Sequence, residues 1–199
     1  MTKLHLASSS ARRVEILQAL GLRFTAEGVN IDESPTPGES ASDMVSRLAE
    51  AKARKAATGH SGLILGSDTV VVLGDRFFGK PESKEEALDM LSCLSGRCHE
   101  VLTAIALIKG AEMLCDRSVT RVCFREIPAD EANRYWQSGE PAGKAGAYAI
   151  QGRGGIFVES IAGSYSGVVG LPVYQTARLL QRAGMQVLTS QFNEDAMTQ

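Results

Sequence analysis

Strand-like and helix-like apolar patterns alternate along most of this chain, and the alternation constrains the fold more than any other feature. Short apolar runs at residues 3–7 and 101–108 predict strands, whereas the three-residue spacing of Val14, Leu17 and Leu20 predicts a helix. Because strands and helices intermix, we expect a mixed α/β or α+β fold built on one mixed sheet. With 199 residues and an apolar fraction of 44%, the chain can bury a substantial core.

Caps and turn residues place the other elements. Ser40 and Asp43 form a capping-box-like start for one helix, and GLILGSDTVVVLGDRFFGKP predicts a strand, a corner around Asp68, a second strand and, after a turn at Gly74 and Asp75, a short return strand. The remaining helices are predicted over residues 12–20, 83–94, 129–137 and 172–183, and the remaining strands over 24–30, 118–125, 147–151 and 156–160. We predict one domain over residues 1–189 and a polar tail over 190–199.

Charge and cysteine content exclude several classes of protein. The formal charge of −2 argues against a nucleic acid polymer or an acidic membrane surface as partner, and no apolar run is long enough to cross a bilayer. The four cysteines form no C-x-x-C pair and no signal peptide precedes them, so we expect reduced thiols in a cytoplasmic protein. The three scattered histidines make a zinc site improbable.

The segment LASSSARRVEIL crowds hydroxyls and guanidiniums between a strand and a helix. A helix N-terminus offers free N–H groups and partial positive charge, and Ser8, Ser9, Ser10, Arg12 and Arg13 add donors and fixed charge. This combination predicts a phosphate cradle. The alternative is a capping serine followed by two solvated arginines.

Four further charged residues are candidates for a site. Asp68 lies between two apolar runs, where a carboxylate is costly to bury unless it binds something positive; the alternative is a turn aspartate bonded to backbone amides. Lys52 continues the apolar stripe of its helix and is either functional or a lysine that extends outward past the core. Lys80 and Glu33 lie in loops, where lysines and carboxylates are common.

The segment SGEPAGKAGAYAIQGRGG is rich in glycine, which lets the backbone approach a ligand closely. Gln151 offers both a donor and an acceptor, as reading the edge of a base requires; the alternative is a loop that only turns corners. The chain lacks a strand–G-x-G-x-x-G–helix pattern, which disfavours an NAD(P) oxidoreductase, and GSYSG has tyrosine where a nucleophile elbow needs serine.

These segments occur together in one family. LASSSARRVEIL, GSDTVV, GKP, LSGRCHEVLTAIAL and SGEPAGKAGAYAIQGRGGIFVESIAGSYSGVVGLP resemble the Maf proteins, also called septum-formation-inhibitor-like nucleotide pyrophosphatases, over about residues 3 to 185. The resemblance implies an inosine-triphosphatase-like fold, a twisted mixed sheet whose flanking helices form two lobes around a cleft. It also implies hydrolysis of nucleoside triphosphates to monophosphate and pyrophosphate with Mg²⁺ or Mn²⁺, and a homodimer.

The resemblance assigns roles to individual residues. Asp68 corresponds to the catalytic carboxylate, Glu33 to a second essential acid that shares the metal with Asp68, and Arg13, Lys52 and Lys80 to phosphate-binding cations, beside Ser8 of the cradle. Arg12, Thr69 and Gln151 are similar to the specificity positions of the branch that acts on dTTP and UTP.

Two positions depart from the family pattern. Ala11 stands where proline is usual, and because proline in a first helical turn is helpful but dispensable, we expect the turn to survive. Ser67 stands where alanine is usual and is expected to add a hydrogen bond near Asp68. The alternative function is a nucleotide-binding regulator of cell division without turnover, although a pair of acids alongside three cations favours an enzyme.

Overall fold

The computed structural model describes residues 3–188, which contain seven strands and six α-helices. The strands are β1 (Leu4–Leu6), β2 (Phe24–Ala26), β3 (Leu63–Leu73), β4 (Arg76–Phe78), β5 (Cys98–Lys109), β6 (Glu112–Phe124) and β7 (Val158–Ala162). The helices are α1 (Ala11–Ala19), α2 (Ala41–Ala57), α3 (Lys84–Leu94), α4 (Ala129–Gln137), α5 (Tyr165–Val169) and α6 (Val173–Arg182), with short 3₁₀ segments at Ala145–Ala147 and Arg153–Phe157. The predicted tail, residues 190–199, lies outside the described residues.

All seven strands form one mixed sheet in the order β2-β1-β3-β5-β6-β7, with β4 paired to β3. The pairs of β1 with β2 and with β3 are parallel, and the remaining pairs are antiparallel. This confirms the predicted mixed α/β class. β3 is central, because it contacts a parallel neighbour on one side and pairs with β5 on the other.

Helices cover both faces of β3, as its burial on both sides requires. On one face, Val45, Leu48 and Ala53 of α2 pack against β3 and β5. On the other face, α1 and α6 enclose Leu65 and Leu107. A further cluster fills the space beneath α3 and α4. α2 is thereby fixed to the strand that carries Asp68.

The structure confirms most of the predicted elements and corrects three. The hydroxyl of Ser40 accepts the Asp43 N–H at 3.1 Å and begins α2, as predicted. The corner predicted around Asp68 is wrong, because β3 runs straight through it. The strand predicted over residues 147–151 is also wrong, since Gly146 and Ala147 have φ of +70° and +59°, which breaks an extended backbone. The strand predicted over 24–30 ends at Ala26.

The prediction of four reduced cysteines is wrong for two of them. Cys98 and Cys123 form a disulfide, while Cys93 and Cys115 are free. The two bonded residues are direct partners in the β5–β6 register, with their Cα atoms 3.9 Å apart. Spacing along the chain carries no information about such a cross-strand neighbour. No helix among residues 3–188 is both long and apolar enough to cross a membrane.

Candidate active site

The site lies at a gap in the pairing of β3. β1 pairs with residues 63–65 and β4 with residues 71–73 on the same side of β3, while β5 pairs along the other side. Within the described part of the chain, no strand pairs with residues 66–70 on the β1 side. Side chains from both faces of β3 can therefore reach one cleft around this open edge.

Lys52 joins the two acidic residues of the cleft. Its ammonium donates to Asp68 Oδ1 at 2.7 Å and lies 2.6 Å from Glu33 Oε1. The side chains of Lys52 and Asp68 are 8% and 10% exposed, so this pair is desolvated. The sequence-based alternatives, a lysine extending past the core and a turn aspartate, are therefore wrong. A buried charge pair of this kind is retained only where geometry and further contacts offset its desolvation.

Glu33 reaches the cleft from the proline-rich loop. Partial burial raises the pKa of its carboxyl, but the Lys52 hydrogen bond and the charges of Lys52 and Lys80 outweigh this effect and lower the pKa overall. Glu33 is therefore ionised at neutral pH. Lys80, in the loop after β4, lies 3.6 Å from Glu33 Oε2, and its side chain is 62% exposed, so it can move toward a ligand.

Arg13 approaches the gap from the other face of β3. Its guanidinium donates to the Gly170 carbonyl at 2.8 Å, to Ser8 Oγ at 3.3 Å and to Thr69 Oγ1 at 3.2 Å. Burial lowers the pKa of Arg13, and nearby Asp68 opposes that shift; an arginine stays charged regardless. Three acceptors on three segments thus fix a positive charge at the cleft.

The hydroxyl cluster leads from β1 into α1 at the edge of the same cleft. Ser10 is the N-cap residue, yet its side chain makes no capping bond, so the alternative in which the serines simply cap the helix does not hold. Ser8 Oγ instead accepts from the Ser10 N–H at 3.2 Å and from Arg13. Arg12 projects from the first turn of α1 and is half-buried at the cleft wall.

One cleft of about 950 Å³ brings all the predicted site residues together. Its lining includes Ser8, Arg12, Arg13, Glu33, Lys52, Asp68, Thr69, Lys80 and Gln151. Lys52 and Asp68 lie on one face of β3, Thr69 and Arg13 on the other, and Gln151 on the wall formed by the glycine-rich segment. The volume is typical of a site for a drug-sized ligand.

Two residues contact partners that the sequence did not indicate. Ser67 was expected to bond near Asp68, but consecutive strand residues point to opposite faces, and Ser67 Oγ donates to the Gly170 carbonyl at 3.1 Å.

The hydroxyl of Thr69 hydrogen-bonds to Arg13 and Thr103, so it is already engaged within the protein rather than available to a base. Thr103 is fully buried and also donates to the Gly167 carbonyl at 2.7 Å. A threonine within the apolar run of β5 was the available signal for this missed residue.

The carboxylates of Glu33 and Asp68 are the candidates for a metal. Within residues 3–188, no group of three or more His, Cys, Asp or Glu side chains could hold an ion. Two carboxylates converging on Lys52 are hard oxygen donors and fit a Mg²⁺ or Mn²⁺ that takes its other ligands from phosphate oxygens and water.

The chain as a whole matches a known family. The Maf-like protein family model matches residues 3–183, so the chain is a member of that family. Two curated relatives are each named dTTP/UTP pyrophosphatase. The protein of Methylococcus capsulatus is 50% identical over 188 residues, covering 92% of both chains, and that of Myxococcus xanthus is 50% identical over 186 residues, covering 92% of this chain and 94% of its own.

Two solved structures are also similar. A HAM1 protein from Coxiella burnetii has a TM-score of 0.46 and 22% identity, covering 64% of this chain and 75% of its own. A nucleoside-triphosphatase / dITP/XTP pyrophosphatase from Mycobacterium abscessus has a TM-score of 0.40 and 17% identity, covering 63% of this chain and 76% of its own.

Proposed function

We propose that the chain is a nucleoside triphosphate pyrophosphatase that hydrolyses dTTP and UTP to the nucleoside monophosphate and pyrophosphate. The observation that carries the proposal is the desolvated Lys52–Asp68 pair facing Arg13 across one cleft. The shared name of the two relatives, dTTP/UTP pyrophosphatase, supports this activity and this choice of base.

The chemistry follows from the positions of the charged groups. Arg13, Lys52 and Lys80 supply cations for a polyphosphate, and the amides of the first turn of α1 add main-chain donors. Asp68 orients or deprotonates a water, which attacks the α-phosphorus and releases pyrophosphate. Most of the acceleration comes from positioning and from fixed charge facing the negative charge of the transition state.

The metal is part of the proposal. Glu33 and Asp68 would hold Mg²⁺ or Mn²⁺, which when bound would neutralise charge on the phosphate oxygens. With the metal held by these carboxylates, the Lys52 ammonium would be available to hydrogen-bond phosphate oxygens, since an ammonium and a metal compete for the same carboxylate oxygens. We also propose that the protein acts in the cytoplasm, which cell fractionation would test. We further propose that it forms a homodimer, which light scattering would test.

We assign base choice to the glycine-rich wall of the cleft that carries Gln151. Gln151 would read the uracil or thymine edge, because an amide both donates and accepts. Arg12 lines the same cleft and Thr69 holds Arg13, so these two residues would act on the position of the nucleotide.

The test is pyrophosphate release by Asp68→Asn over a panel of triphosphates with Mg²⁺ or Mn²⁺. We expect turnover to fall by about 10³-fold or more, because the amide can no longer take a proton or hold charge. The fold should survive, since Lys52 keeps Glu33 at 2.6 Å. Asp75→Asn, in the exposed β3–β4 turn, is the matched control. Near-normal release by Asp68→Asn would remove Asp68 from the mechanism. Nucleotide binding without turnover by the unmodified protein would favour the regulator alternative.

A further inference from the structure

Glu140 accepts hydrogen bonds that hold the turn around Gln151, the residue proposed to read the base. Its Oε1 accepts from the Tyr135 hydroxyl at 2.7 Å and from the Gly154 N–H at 2.9 Å, and its Oε2 accepts from the Arg153 N–H at 3.0 Å. One carboxylate therefore joins the end of α4 to the far side of the turn.

The Tyr135 hydroxyl extends the anchor to the near side of the turn. While donating to Glu140, it accepts the Ala149 N–H at 3.1 Å. Gln151 lies between the two attachment points, Ala149 and Gly154. The backbone is thus held on both sides of Gln151 by a single side-chain pair.

Two glycines permit this close approach. A Cβ at residue 152 would overlap the Glu140 carboxylate, and a Cβ at residue 154 would overlap the Tyr135 hydroxyl. Immediately before the turn, Ala147 is the one non-glycine residue among residues 3–188 with positive φ, at +59°. A strained backbone of this kind persists only where its surroundings fix it, and such sites cluster where geometry serves function.

Gln151 depends on that backbone for its direction. Its side chain is exposed and makes no hydrogen bond with the described part of the chain. Partial burial raises the pKa of Glu140, but the Gly154 amide, the Tyr135 hydroxyl and the Arg153 amide outweigh it and lower the pKa overall. Glu140 therefore acts as an ionised acceptor, whose bonds to the turn are stronger than those of a neutral one.

We propose that Glu140, acting with Tyr135, is a positioning residue that holds the Gln151 turn and so sets the preference for UTP and dTTP. The inference rests on the proposed function. It predicts that base choice depends on a carboxylate that contacts Gln151 only through the backbone around it.

Glu140→Gln tests the proposal, because a single amide oxygen cannot accept all three hydrogen bonds. Leaving one donor unpaired should raise the KM for UTP by about tenfold while kcat changes by less than about twofold. The preference for UTP over CTP should fall with it. In a Gln151→Ala background, Glu140→Gln should change the KM little, since the residue through which it acts is gone. Tyr135→Phe should reproduce the effect, and Glu159→Gln, on exposed β7, is the control.

Amide hydrogen exchange provides a readout that needs no turnover. In Glu140→Gln, the amides of residues 149, 153 and 154 should exchange faster while those of β3 and β5 stay unchanged. An active variant with intact exchange protection and an intact preference for UTP would overturn the inference. So would an equal loss with every triphosphate in both backgrounds, which would indicate a merely structural role. Failure of the proposed function looks different, because the unmodified protein would then release no pyrophosphate from any triphosphate.

Discussion

Gly66→Ala is expected to separate the helix and the strand that bring Lys52 and Asp68 together. Gly66 faces α2, and a Cβ there would overlap the Ala49 carbonyl oxygen and stand 2.8 Å from the Ala53 nitrogen. Both obstacles are backbone atoms, which cannot rotate away as a side chain can. Lys52 lies between Ala49 and Ala53 on the helix, and Gly66 precedes Asp68 by two residues on the strand, so a shift of α2 at Gly66 also moves Lys52 relative to Asp68.

The cost follows from the displacement needed. To restore ordinary contact distances, α2 must retreat by roughly 1 Å. Overpacking of this kind costs about 1–3 kcal/mol, and we expect the upper end because only backbone can yield. For a domain of this size, about 3 kcal/mol corresponds to a fall in Tm of roughly 6–12 °C. Activity should fall more steeply, since a misplacement of about 1 Å can cost about 10²-fold in rate.

Thermal unfolding followed by circular dichroism measures the fall in Tm. Pyrophosphate release, at a temperature where the variant is folded, measures the fall in activity. Gly59→Ala is the matched control, because a Cβ at that position meets nothing within 4 Å and its φ is not positive. A Tm equal to that of Gly59→Ala, together with full activity, would refute the claim that close α2–β3 packing sets the Lys52–Asp68 contact.

Three further outcomes are expected. Arg13→Lys should raise the KM for the triphosphate by about tenfold or more in steady-state kinetics, because an ammonium lacks the fork that bonds three acceptors at once; an unchanged KM would remove Arg13 from binding. Gln151→Glu should weaken UTP and dTTP relative to other triphosphates, since it removes the amide donor, and an unaltered ranking would place base reading elsewhere. Burial lowers the pKa of His99 from 6.5 to about 4, so the unfolded chain binds the proton first and the free energy of unfolding falls by about 2 kcal/mol between about pH 7.5 and 5. Urea unfolding should show a loss about 2 kcal/mol larger in the protein than in His99→Gln, because the lowered pKa of His5 contributes to the loss in both; equal losses would contradict the prediction.

The parts of the fold that local chemistry decides were predictable from the sequence. Ser40 begins α2 because its hydroxyl accepts an N–H of the first turn, and α4 occupies the predicted residues 129–137. The corner around Asp68 was wrong because a carboxylate between apolar runs is typical of a turn. Here Lys52, sixteen residues earlier, offsets the charge and lets the strand continue.

The sequence predicted which residues line the cleft, but not which of them contact one another. Residue types and family resemblance indicated the charged groups that line the cleft. They did not indicate the partners of Thr103, or the Gly170 carbonyl that fixes Arg13, because these contacts join segments more than thirty residues apart. The Cys98–Cys123 disulfide escaped prediction for the same reason, since it depends on the register of two strands.

The gap in the pairing of β3 has a consequence for how this protein can diversify. Residues 66–70 present main-chain groups toward the cleft, and a point mutation that changes a side chain leaves those groups in place. A preference for one base can therefore change through substitutions at the wall that carries Gln151, while the main-chain donors and acceptors of β3 stay in the cleft.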